Sequence, residues 1–258
     1  MLKKAFTLAE IIIVFGVLGL VAEMTIPALI TQHDKIVQVA QLKKFYSVFS
    51  QGMLMTMKNN GCNDMLCTGL FDSDSSNATW QNNMIAAMSE TFKITKTCPK
   101  TDDTCKKLVT YLGSTFNQRW AFDTGYNFQT LDNFFFGIID NDSANCTYFP
   151  AGAPSKLANF CGGIEVDING SKGPNRSGRD YFIFYVGRDG ALYPYMGAEY
   201  AKAEIGSSDY TNSSYWWSSA VSSPGQLCGY PTNSTIPSNA HGLACAARIM
   251  EEGWQMNY

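Results

Sequence analysis

From Phe6 to Ile26 the chain is almost uninterruptedly apolar, and this run constrains the fold more than any other stretch. As a helix it spans about 31 Å, the thickness of the hydrocarbon core of a bilayer. Lys3 and Lys4 stand in front of it, which places the N-terminus in the cytoplasm and everything beyond Pro27 on the far side. Glu10 lies only four residues beyond Phe6, inside the run. A carboxylate in hydrocarbon costs about 2–3 kcal/mol even on lenient insertion scales, so Glu10 requires a partner.

An ordinary secretory signal peptide explains this stretch less well. Such peptides are cut after the apolar core at small residues, whereas Leu20-Val21-Ala22 puts a large side chain where a small one is needed. A plain anchor helix leaves Glu10 without a reason.

The residues Lys3-Lys4-Ala5-Phe6-Thr7-Leu8-Ala9-Glu10-Ile11-Ile12-Ile13-Val14, then Gly16, Leu18-Gly19 and Ile26-Pro27, resemble the N-terminus of the type IV pilin and type II secretion pseudopilin superfamily. The resemblance does not extend past the N-terminal helix. It implies a leader, residues 1–5, removed between Ala5 and Phe6 by a prepilin peptidase, with methylation of the new amine. The family usually has Gly before the cut, where this chain has Ala5. Glu10 would be the fifth residue of the mature chain and would neutralise the Phe6 amine of a neighbouring subunit. Pro27 falls in the family's register and, with Glu10, belongs to the assembly segment. The implied partners are other pilin or pseudopilin subunits and an inner-membrane assembly platform. The implied place is a bacterial inner membrane, crossed once, with a periplasmic head that ends in a periplasmic or extracellular filament.

Beyond Pro27 the helical period persists. Ile36, Val39, Leu42, Tyr46, Phe49, Met53 and Met57 recur every three or four residues, a stripe suited to packing on a sheet. Asn59-Asn60-Gly61 marks the end of that helix. Three segments follow: 1–5, a leader; 6–59, a transmembrane and assembly helix; and 60–258, a head. The resulting expectation is an α+β, pilin-like fold, its long helix packed on an antiparallel sheet in a disulfide-tied head. A helix is expected over Trp80–Phe92. Strands are expected at Lys107–Leu112, Phe134–Ile139, Ile164–Ile168, Tyr181–Val186 and Ala191–Tyr195, with Arg188-Asp189-Gly190 as a hairpin turn. Residues 207–240, rich in Ser, Asn, Tyr, Trp, Pro and Gly, read as a long loop.

The eight cysteines point to an oxidising compartment. No CxxC occurs and there are two histidines, a poor basis for zinc. Nearest-neighbour pairing, Cys62–Cys67, Cys98–Cys105, Cys146–Cys161 and Cys228–Cys245, closes the shortest loops among the 105 formal pairings. A net charge of −3 without a basic cluster argues against nucleic acid. No nucleophile elbow, phosphate-cradling glycine loop or HExxH motif is present, so catalysis has no sequence support.

The segment 167–180 joins two expected strands, and Asp167, Asn169 and Asp180 offer oxygens to a Ca²⁺ ion. The spacing is not that of an EF-hand, and Lys172, Arg176 and Arg179 oppose a cation, so a polar connecting loop is the simpler reading. Asp140-Asn141-Asp142 is a weaker version of the same idea. The two rivals to a filament subunit are a non-polymerising membrane-anchored or secreted binding protein and an exported enzyme.

Overall fold

A computed structural model of the chain describes residues 7–71, 78–99, 102–112, 118–122, 126–139, 146, 159–170, 172–173, 175–195, 228 and 242–258. The chain divides into two units, Met1–Val37 and Gln38–Tyr258. One helix, α1 (Leu8–Asn59), contributes to both.

In the first unit α1 is helical throughout and runs through Gly16, Gly19 and Pro27 without a break. Its side chains there are mostly exposed, and it is long and apolar enough to cross a membrane by length and composition. The Thr25 hydroxyl donates to the Val21 carbonyl at 2.9 Å, and the Thr31 hydroxyl to the Pro27 carbonyl at 2.9 Å. Both hydroxyls are thereby satisfied within the helix.

In the second unit α1 turns Leu42, Phe45, Phe49, Met53 and Met57 into the core. The face differs from the expected stripe at two points: Ile36 is 63% exposed, and Phe45 is buried. The buried face centres on Phe45 and Phe49, and the apolar period simply continues one turn beyond the last residue that has something to pack on. The helix stops through backbone geometry. Gly61, at φ +65°, lets Cys62 N donate to the Met57 carbonyl at 2.9 Å and Gly61 N donate to the Lys58 carbonyl at 3.0 Å. That pair of bonds closes the helix end, and it needs a left-handed residue that only glycine supplies cheaply.

Among the described residues, the α-helices and strands besides α1 are α2 (Ala78–Thr91), α3 (Cys245–Glu251) and nine strands: β1 (Ile94–Cys98), β2 (Lys107–Thr110), β3 (Gln118–Ala121), β4 (Asn127–Thr130), β5 (Phe135–Ile139), β6 (Phe160–Asp167), β7 (Asn175–Arg176), β8 (Tyr181–Gly187) and β9 (Leu192–Pro194). Six strands form an antiparallel sheet in the order β1-β4-β5-β6-β8-β9. A smaller sheet, β3-β2-β7, pairs β2 antiparallel to β3 and parallel to β7. The head is therefore α+β, and among the named strands described β2 and β7 form the one parallel pair.

The strands β6 and β8 are buried along their whole length. Alternation sorts their side chains between two cores. Ile164, Val166, Phe182 and Phe184 join Leu42, Phe45, Phe49 and Met53 of α1. Tyr181 and Ile183 join Val109, Phe122 and Phe135 on the opposite side. Aromatic packing orders the first core: the Phe49 ring lies 4.9 Å from Phe92 and 5.1 Å from Phe136.

Four disulfides join cysteines that neighbour each other in sequence, Cys62–Cys67, Cys98–Cys105, Cys146–Cys161 and Cys228–Cys245. Each closes a loop of 5 to 17 residues. Apart from Cys228, the stretch 207–240 lies outside the described residues, as do Asp140, Asn141 and Asp142.

Candidate functional site

Two places gather the residues singled out by the sequence. The first is the start of α1. Ala5 and Phe6 lie outside the described residues. Thr7 and Glu10 form a reciprocal cap: Thr7 N donates to Glu10 Oε2 at 2.8 Å, and Glu10 N donates to Thr7 Oγ1 at 3.3 Å. The Thr7 hydroxyl also donates to Glu10 Oε2 at 2.8 Å, while the Thr7 carbonyl accepts the first helical bond from Ile11 N. This is a capping box, which satisfies two amide groups that the first turn leaves open. The signal was present as Thr7-Leu8-Ala9-Glu10 and is invisible only if Glu10 is read for its charge alone. Glu10 thus has a structural task inside its own chain.

The second place is the junction of the two sheets. Alternation along β6 puts Glu165 and Asp167 on the opposite face from Ile164 and Val166, so both acids point away from α1 toward the smaller sheet. Both are buried, as is Asp180, the residue just before β8. Glu165 Oε2 accepts from Phe122 N at 2.7 Å. Lys107, the first residue of β2, reaches across: its Nζ donates to Asp167 Oδ2 at 2.6 Å and to the Gly170 carbonyl. The Phe135 and Phe122 rings stand 4.3 and 5.7 Å from that nitrogen. In the sequence Lys107 reads as the first residue of an expected strand, and nothing local marks it as a buried cation.

The turn after β6 folds back on Asp167, whose Oδ1 accepts from Asn169 N at 3.0 Å and Gly170 N at 3.1 Å. Gly170 sits at φ +67°, and a side chain there would strike the Asn133 carbonyl. Asn169 Nδ2 donates to Asp180 Oδ2 at 3.1 Å, and Arg176 N donates to Asp180 Oδ1. Burial pushes the Asp167 carboxyl up despite the attraction of Lys107. Burial, reinforced by the charge of Asp167, pushes Asp180 up to about 7.

The fold therefore does bring Asp167, Asn169 and Asp180 together, but the set does not fit calcium. That ion takes six to eight oxygens. Here all four carboxylate oxygens already accept N–H groups, and the ammonium of Lys107 supplies the positive charge. Asn169 Oδ1 is the one side-chain oxygen of the three residues left without a hydrogen bond. A second grouping, Cys98, Asp102 and Cys105, has its two sulfurs committed to a disulfide.

Comparison with protein-family models, with curated proteins and with solved structures gives no match for this chain.

Proposed function

We propose that the chain is a prepilin-like structural subunit, cut between Ala5 and Phe6, N-methylated, and polymerised through α1 into a type II secretion pseudopilus or a type IV pilus. The size of the head, 60–258, favours a minor subunit over the main one. Its role is mechanical and not catalytic. The observation that carries this reading is a coincidence of register in the sequence, Ala5-Phe6 followed four residues later by Glu10 and then by Pro27, with Glu10 and Pro27 on one continuous helix apolar enough for a membrane. Its pilin-like character also agrees with a long helix packed on an antiparallel sheet in a head held by four disulfides. Disulfides favour a head outside the cytoplasm.

The partners in this reading are a prepilin peptidase, other pilin or pseudopilin subunits and an assembly platform in the inner membrane. Coexpression with a prepilin peptidase should lower the mass by residues 1–5 and raise it by one methyl group, with Phe6 as the new N-terminus. A mature chain that begins anywhere else refutes the reading.

The capping box favours a second reading, a membrane-anchored binding protein that never polymerises, because it gives Glu10 a task that requires no neighbour. Shearing cells and probing the filament fraction separates the two. A processed chain found only in membranes supports the second.

A further inference from the structure

The Lys107–Asp167 contact has the arrangement of a reaction as well as that of an ion pair. The two side chains are 17% and 0% exposed, with nitrogen and oxygen 2.6 Å apart and the Phe135 ring against the nitrogen. Passing one proton across the contact leaves an amine beside a carboxylic acid and no charge in the site. Burial already moves Asp167 in that direction. Its other oxygen, Oδ1, accepts two convergent backbone N–H groups, from Asn169 and Gly170. Two such donors are what stabilises the oxyanion of a tetrahedral intermediate. The Gly170 carbonyl holds the Lys107 nitrogen in place, and Asp180 holds the Asn169 side chain, which makes Asp180 a positioning residue.

We propose that Lys107 and Asp167 become joined by an amide between Nζ and Cγ, a covalent cross-link that the folded head forms on itself. A proton first moves from Nζ to Oδ2. The neutral amine then attacks Cγ, and the charge gathered on Oδ1 rests on the Asn169 and Gly170 N–H groups. A second proton passes from the nitrogen to Oδ2, the Cγ–Oδ2 bond breaks and water leaves. One N–C bond replaces one C–O bond, and nothing is oxidised or reduced. Condensation is unfavourable between free molecules in water. A fixed neighbour in a closed site has an effective concentration that reaches about 10⁵–10⁸ M in well-oriented cases, which offsets that penalty. The cross-link ties the first residue of β2 to the last residue of β6, and so one sheet to the other. It stands independently of how the N-terminus is processed.

The test is the mass of the full-length chain, purified in detergent, reduced and denatured, followed by peptide mapping. The expected result is a mass lower by one water than the processed sequence requires. The peptides containing Lys107 and Asp167 should run as one branched species. Lys107→Arg should restore the full mass and separate the peptides. A wild-type chain of full mass with the two peptides apart overturns the proposal. So does a water loss confined to one peptide, or one that persists in Lys107→Arg, since either points to cyclisation of an aspartate on its own backbone.

Discussion

Replacing Asp180 by asparagine should make the head more stable at neutral and alkaline pH, the reverse of what removing a hydrogen-bonded carboxylate usually does. Asp180 is buried and pushed up to about 7, against 3.8 for a free aspartate. Its folded-state pKa lies above its unfolded one, so the native state holds a proton that the unfolded chain has already released between about pH 4 and pH 7. Stability therefore falls as pH rises through that window. At about 1.4 kcal/mol for each pH unit, the ionised form costs the fold up to about 4 kcal/mol above pH 7. The amide of the variant would keep an oxygen for Arg176 N and carry no charge to desolvate. Desolvation is the largest cause of the shift, so the result does not depend on whether Asp167 is free or condensed with Lys107. The assay is guanidinium unfolding of the detergent-solubilised chain, followed by fluorescence at pH 4, 6 and 8. Wild type should lose stability steadily across the series, and Asp180→Asn should match it at pH 4 and exceed it at pH 8. A wild-type midpoint that rises from pH 4 to pH 8, with the variant below it at pH 8, would refute the reasoning.

Glu10→Gln should keep the capping box, because Gln serves at that position as Glu does. Membrane levels should then match wild type while incorporation into filaments drops sharply, measured as sheared-filament yield beside total membrane protein. Equal incorporation would leave Glu10 as a cap and nothing more. Gly16→Ala and Gly19→Ala meet no atom within 4 Å of the added carbon, so each should stabilise the helix by about 1 kcal/mol. If assembly requires this part of α1 to unwind, the double variant should insert normally and polymerise poorly. Phe49→Ala removes a ring that is 1% exposed and touches Phe45, Phe92 and Phe136. It should cost about 3–5 kcal/mol in the same unfolding assay, and a loss below about 1 kcal/mol would place the core elsewhere.

The parts of the fold legible in the sequence are those where one period dominates. The long helix announced itself by composition in its first half and by spacing in its second, and its end by Asn-Asn-Gly. The strands β5, β8 and β9 were readable from aromatic and β-branched residues, and the β8–β9 turn from Arg188-Asp189-Gly190, where Gly190 N donates to the Gly187 carbonyl at 2.9 Å. The strand β6 begins four residues earlier than its apolar run, because Gly162 and Gly163 look like a break. Gly162 instead makes room for the Phe71 ring, which would lie 2.4 Å from a side-chain carbon there. The strands β1, β3, β4 and β7 carry mostly polar residues and are set by partners far away in sequence, so no local pattern marks them. The short helix α3, built from Cys245, Ala246 and Ala247, is too brief to show a period. At the sheet junction the acids were visible but their counter-charge was not. Lys107 lies 60 residues from Asp167, and pairings distant in sequence, such as that of β2 with β7, bring them together.

The disulfides have a mechanical consequence. Because they bridge only 5, 7, 15 and 17 residues, they remove little contour length from a chain pulled at both ends. Most of the chain lies outside these loops, where hydrogen bonds and packing and not sulfur would resist tension. A bond from Lys107 to Asp167 would shield 60 residues from extension, more than the four disulfides combined. Under load, the extensibility of this head would be set by one lysine.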